Sequence, residues 1–430
     1  MGRSAWTGFW AAIIFFIATG AACAQTEPVT GQAGAGVVHH LDEGISNYVD
    51  HATPLLSASK SELGQPQDPV GNAAGAMPPI SGVPASQPST APATQPTPPK
   101  GEWLIVPLPI YKPELGWGLV GTAGYIFPLD PNDTVSPPST VAAVGYYSQN
   151  NSWAAGLMGK FYLDQDRYRI TAGMFKGQVN YDFFGVGTDA GNQDRSIPIS
   201  LGLTGGIFET LFRVGQGVYV GPRYMGGAVR VSSHSDETAV QIPDAELHTT
   251  TSGLGVHAQW DTRDSQFYPR RGHLLDADMS FHGPAIGDDF EYQVYQISFN
   301  QYLTLSPRQV LAYRVMGQFE NGDVPFYALS SLGRGSDIRG YQAGRYQDKQ
   351  LVAAQAEYRL EITQRIGAVA FAGLGEVAPS ISSLTFDNIL PAAGVGLRFV
   401  VAEKNHVAIR LDVAWGKDGG NFYLGIGEAF

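Results

Sequence analysis

Acids and arginines interleave between Asp261 and Asp276, in the order Asp261, Arg263, Asp264, Arg270, Arg271, Asp276. Carboxylates this close could do general acid–base chemistry. Each has an arginine beside it, however, which favours a turn held by ion pairs over catalysis. His39, His40 and His51 could ligate a metal, but no carboxylate-supported ligand pattern frames them. Solvated tail histidines are the simpler reading. Gly333-Arg334-Gly335 lacks the helix that a phosphate-binding loop requires, and no G-x-S-x-G, H-E-x-x-H or G-x-x-x-x-G-K-[ST] motif is present. No enzyme, cofactor or metal is expected. One further residue demands an explanation. Arg339, in Gly333-Arg334-Gly335-Ser336-Asp337-Ile338-Arg339-Gly340-Tyr341, is always charged and carries five donors in a planar fork. In a narrow interior it needs partners; on an ordinary surface loop it would simply be solvated. Gly335 and Gly340 permit the tight turns of a loop that folds back on itself.

The elements around this loop alternate. From Val352 to Ile362 the even positions are apolar or small, whereas Gln355, Glu357, Arg359 and Glu361 occupy odd ones. A period of two sends these sets to opposite faces of a strand. Leu275–Phe281 and Val407–Trp415 alternate in the same way. Phe290–Tyr302 switches parity near Val294-Tyr295, which predicts a β-bulge there. Alternating segments recur from Trp103 to Phe430, separated by Gly, Pro, Asn and Asp clusters, and they number sixteen. With 53 Gly, 11% aromatic and 15% charged residues, the pattern suits an all-β fold. The expected architecture is a sixteen-stranded antiparallel transmembrane β-barrel over residues 101–430, with lipid against the apolar faces. A secreted two-sheet sandwich also alternates. It leaves unexplained a last strand that ends on Phe430 and would close the sheet on its first.

Residues 1–24 read as a secretory signal, with Arg3, an apolar stretch from Phe9 to Ala18, and Ala22-Cys23-Ala24 before Gln25. An uncleaved anchor and a lipoprotein acylated on Cys23 are the alternatives. Residues 25–100 hold ten prolines between Pro66 and Pro99 and few large apolar side chains, which predicts a disordered periplasmic linker. The formal net charge of -12 argues against a nucleic-acid partner.

Ile338-Arg339-Gly340-Tyr341 resembles the [V/I]-R-G-[F/Y] signature of the BamA/TamA family, the bacterial surface antigen barrels. The family's periplasmic turn between strands eight and nine resembles Asp261-Thr262-Arg263-Asp264 with Pro269-Arg270-Arg271-Gly272. Glu357-Tyr358-Arg359 resembles the start of its strand twelve, and Phe430 its terminal aromatic insertion signal. The resemblance covers about 103–430. It implies an outer-membrane barrel whose 321–348 loop folds into the lumen, and a role in inserting or translocating proteins or lipids. Its implied partners are outer-membrane lipids, unfolded outer-membrane protein clients, or a periplasmic partner reached through the linker. The family usually carries F-x-D-x-G on strand thirteen, its Asp holding the loop arginine. Here the run is Phe371-Ala372-Gly373-Leu374-Gly375, so Gly373 stands where the acid belongs. Glu357, on the wet face of its strand, is the expected substitute partner for Arg339. No POTRA module is recognisable in residues 25–100. A pore or surface-exposed structural barrel without insertase activity is the alternative.

Overall fold

The computed structural model describes residues 101–133, 135–233, 246–266, 268–334, 337–402 and 406–430. The expected signal and linker, 1–24 and 25–100, lie outside the described residues.

The described chain forms one closed antiparallel barrel of sixteen strands. In chain order these begin with β1 (Glu102–Lys112), β2 (Gly116–Phe127), β3 (Ser139–Ser148) and β4 (Trp153–Leu163). Then come β5 (Tyr168–Phe183), β6 (Ile197–Gly215), β7 (Val218–Ser233) and β8 (His248–Asp261). β9 (Gly272–His282), β10 (Tyr292–Ser306) and β11 (Gln309–Gly322) lead to the long loop. Inside that loop, β12 (Ser330–Ser331) and β13 (Gln347–Asp348) pair as a separate short hairpin. The wall resumes with β14 (Gln350–Glu361), β15 (Ile366–Ala378), β16 (Leu390–Ala402), β17 (Val407–Gly416) and β18 (Gly419–Ile426).

The rim where β1 begins carries mostly short turns, such as 164–167, 216–217 and 307–308. The far rim carries longer connections, including 184–196, 323–349 and 379–389. Outward positions are large and apolar: Trp117, Leu119, Leu157, Leu254, Ile297, Val315, Leu397 and Trp415 are all exposed. With the sheet curled round so that β1 meets β18, this is the architecture of a membrane barrel.

The expected bulge at Val294-Tyr295 is absent. β10 pairs with β11 without interruption from Tyr292 to Thr304, and its register shift falls between Thr304 and Ser306. The parity switch has another cause. Tyr292 and Val294 point inward at the far-rim half, where they pack with Phe326, Tyr327 and Leu329 of the inserted loop. A plugged lumen makes the inner face apolar there, while Ser298 and Asn300 stay polar further down the same face.

Closure is uneven. β1 is laddered to β2 from Glu102↔Ile126 to Lys112↔Gly116, running through Pro107 and Pro109. To β18 it is paired only at Tyr111↔Leu424. The chain leaves the wall after Ile426, turning at Gly427 with φ +73°. Phe430 is therefore not the end of a wall strand as expected: Glu428 and Phe430 fold back into the lumen.

Candidate functional site: the lumen loop and its charge lock

The segment between β11 and β14 lies within the barrel and packs on its inner wall. Ile338 is fully buried among Leu332, Tyr341, Tyr346, Leu351, Val377 and Leu390. At its tip the Asp337 carboxylate accepts the Gly333 N–H at 2.7 Å, and Gly333 takes φ +90°. Burial, with the Asp418 carboxylate beside it, pushes the Tyr346 hydroxyl up to about 12. It stays protonated at neutral pH and donates to Asp418 at 2.9 Å.

Arg339 is 1% exposed and uses all three of its nitrogens. Nε donates to Gln355 Oε1 at 3.1 Å, Nη1 to Asp412 Oδ2 at 2.6 Å, and Nη2 to Glu357 Oε2 at 2.5 Å. The guanidinium lies 3.4 Å from the ring centroid of Phe371, which supplies a cation–π floor. The acids are shared with other cations. Glu357 Oε1 accepts from Arg359 Nε at 2.7 Å, and Asp412 Oδ1 from Arg398 Nη1 at 2.6 Å. Arg398 Nε reaches Glu428 at 2.9 Å, and Arg359 Nη2 reaches the Phe430 main-chain oxygen at 3.0 Å. Low dielectric makes such contacts strong, and makes each member costly to leave alone.

Period two explains how the wall delivers these groups. Gln355, Glu357 and Arg359 are successive inward residues of β14, and Phe371, Gly373 and Gly375 those of β15. Gly373 has no room for an acid: a Cβ there would sit 2.7 Å from the Ala354 carbonyl oxygen. The second acid comes instead from Asp412 on β17, whose carboxylate occupies the space above Gly396, 1.9 Å from where a Cβ would be. Gly375 admits Leu332 of the loop, whose Cδ1 would be 2.6 Å from a Cβ. Glu376 points elsewhere and accepts the Phe386 N–H at 3.1 Å.

The loop is also tied to the seam strand. Gly340 N–H donates to the Tyr423 hydroxyl at 2.9 Å, and that hydroxyl donates to the Tyr341 carbonyl at 3.1 Å. Asn421 Nδ2 donates to the Gly340 carbonyl at 2.7 Å. Tyr341 closes the contact by donating to the Pro391 carbonyl at 2.7 Å. Gly340 has φ +124°, and a Cβ would meet the Ala392 Cβ at 2.8 Å. Gly340→Ala is therefore expected to cost about 1–3 kcal/mol. The check is faster protease cleavage within 323–349 in the folded, detergent-solubilised barrel.

The 262–271 turn is a separate, structural site. Arg263 holds Asp261 through Nη2 at 2.8 Å, and Asp264 accepts the Arg270 N–H at 3.0 Å. Pro269 lines the lumen, and Gly272 (φ +94°) passes too close to the Thr262 carbonyl to carry a Cβ. Arg270 pairs with Glu361 and donates to the Pro307 carbonyl at 2.6 Å, so one arginine clamps three near-rim turns. Asp276 does not belong to this turn. It faces the lumen and meets His257 Nε2 at 3.0 Å, while Glu209 meets His257 Nδ1 at 2.7 Å. Below the loop these groups border a chamber of about 310 Å³. Sequence reasoning missed Asp412, Arg398, Gln355 and Glu428 as partners of the lock. Their inward parity was available, but their register relative to Arg339 was not.

Residues 223–430 match the Omp85 superfamily domain. A curated relative, the outer membrane protein assembly factor BamA of Nitratidesulfovibrio vulgaris, is 26% identical over 204 residues. That match covers 46% of this chain and only 25% of the relative's length. Among solved structures, BamA from Haemophilus ducreyi lacking POTRA domains 1-3 superposes with TM-score 0.52 at 14% identity, over 76% of this chain and 70% of that one. CdiB from Acinetobacter baumannii gives TM-score 0.50 at 14% identity, over 76% and 60%. At these identities the two structures speak for the fold. Residues 223–430 thus carry an Omp85 superfamily domain, within an outer-membrane-type β-barrel that is similar to the BamA and CdiB barrels.

Proposed function

We propose that this barrel assists the insertion or translocation of unfolded outer-membrane proteins, or of lipids, by offering the β1–β18 seam to them. The observation that carries this reading is the single residue pair closing the wall, Tyr111↔Leu424. In hydrocarbon an unpaired backbone N–H or C=O is costly. An edge with β1 unpaired from Glu102 to Ile110 on that side gains by adding a strand from an incoming chain. Pro107 and Pro109 cannot donate, which keeps the native closure weak. The near rim, with its short turns, is the periplasmic one in this reading. A periplasmic partner would arrive through residues 25–100, outside the described residues. The lumen loop packs across the far-rim half of the interior, which weighs against an open pore.

Liposomes carrying residues 25–430 test the reading against empty ones. Folding of an added, urea-unfolded outer-membrane protein should accelerate, and Arg339→Ala should lose most of the gain. Equal rates with and without the barrel would leave the structural-barrel alternative standing.

A further inference from the structure

The outer wall carries a feature that neither the seam nor the lumen lock uses. One continuous row crosses five strands: Trp153↔Gln178↔Gly202↔Arg230↔His248. The next row towards the near rim reads Ala155↔Lys176↔Thr204↔Ala228↔Thr250. All of these positions face outward, because the alternate residues Phe175, Leu203, Val229 and Thr249 are buried inside. Lys176, Arg230 and His248 are exposed, and so is Thr204. Below them the outer face turns apolar, through Leu157, Met174, Tyr224 and Leu254.

A cation on the lipid face is strongly disfavoured at mid-bilayer and nearly neutral at the interface. Trp153, in the same row, is the kind of residue that marks that interface. The row therefore lies at headgroup depth, in the leaflet at the far rim. Gly202 opens a shallow floor in it: only Arg230 atoms, the nearest at 3.7 Å, lie within 4 Å of a Cβ built there. Gln178 and Arg230 flank this floor across the strands, with Thr204 and Lys176 beneath. Arg230 is oriented by Nε donating to His248 Nδ1 at 3.2 Å, which leaves its Nη groups without an acceptor among the described residues. Neither Arg230 nor Lys176 forms an ion pair with another described residue. Asp289, beside Thr250, is engaged by that residue's N–H at 2.6 Å.

We propose that this patch binds the phosphate of an anionic lipid headgroup in the far-rim leaflet. Arg230 supplies a planar fork for two phosphate oxygens, Lys176 a point charge reaching up from the row below, and Gly202 the space the phosphate fills. Trp153 would lie against the glycerol region. The site is independent of the seam, so it stands or falls apart from the insertion reading.

The test uses the detergent-solubilised chain and native mass spectrometry, titrating phosphatidic acid, diacylglycerol of the same acyl chains, and inorganic phosphate. Phosphatidic acid should bind more tightly than diacylglycerol. The variant K176A/R230A should lose that preference, by roughly fivefold for each cation removed. K176R should keep most of it, R230K should keep only part because an ammonium carries the charge but not the fork, and the heat-modifiable band on gels verifies folding of each variant. Unchanged phosphatidic acid affinity in K176A/R230A would overturn the proposal. So would displacement of the lipid by inorganic phosphate at equal concentration, which would make this a free-anion site.

Discussion

Asp412→Ala is expected to destabilise the barrel by about 3–5 kcal/mol and to free the lumen loop, because it strands buried cations whose partner it was. Asp412 is fully buried and accepts from Arg339 and from Arg398 at 2.6 Å each, with Arg410 Nε 3.6 Å away. Removing it leaves Glu357 as the acid hydrogen-bonded to both Arg339 and Arg359, and leaves Arg398 with Glu428 at 2.9 Å and a looser 3.6 Å approach to Glu357. Asp412→Asn keeps the volume above Gly396 and isolates the charge, so it should recover only part of the loss. Two readouts check this: the urea midpoint of the heat-modifiable band, and the rate of protease cleavage within 323–349. A shift equivalent to less than about 1 kcal/mol would mean the lock is solvated in the working protein.

The strand alternation was legible because a barrel exposes a two-faced sheet to two different solvents. Glu357 could be placed on the lumen side from parity alone, and its carboxylate does reach Arg339. Asp412 could be placed on the same side but not opposite the arginine. That depends on the cumulative register through β15 and β16, which no local pattern encodes. Gly373 signalled that the acid was missing from its usual place, not where its replacement stood. β10 misled for a different reason. Tyr292 and Val294 meet the inserted loop rather than water, so their apolar character signalled a packed lumen and not a bulge. Phe430 misled because the turn at Gly427 takes the chain out of the wall, towards Arg359.

The lock and the seam are physically joined, which gives the second large expectation. Arg339 ties the loop to β14 and β17, and Tyr423 and Asn421 tie the next residue, Gly340, to β18. A seam strand held from inside the lumen can part from β1 while the rest of the wall keeps its full ladders. Covalent closure should therefore abolish activity without unfolding the barrel. Paired residues on antiparallel strands lie about 4.5–5.5 Å apart at Cα, within disulfide range. Tyr111→Cys with Leu424→Cys uses the one pair the native seam provides.

The decisive measurement is the liposome folding assay on that double-cysteine barrel, oxidised and then reduced. A seam that parts to admit clients predicts acceleration of client folding in the reduced state, loss of nearly all of it on oxidation, and recovery with reductant. Equal acceleration in both states would contradict it, since a barrel sealed at Tyr111 and Leu424 would then be doing the same work as an open one.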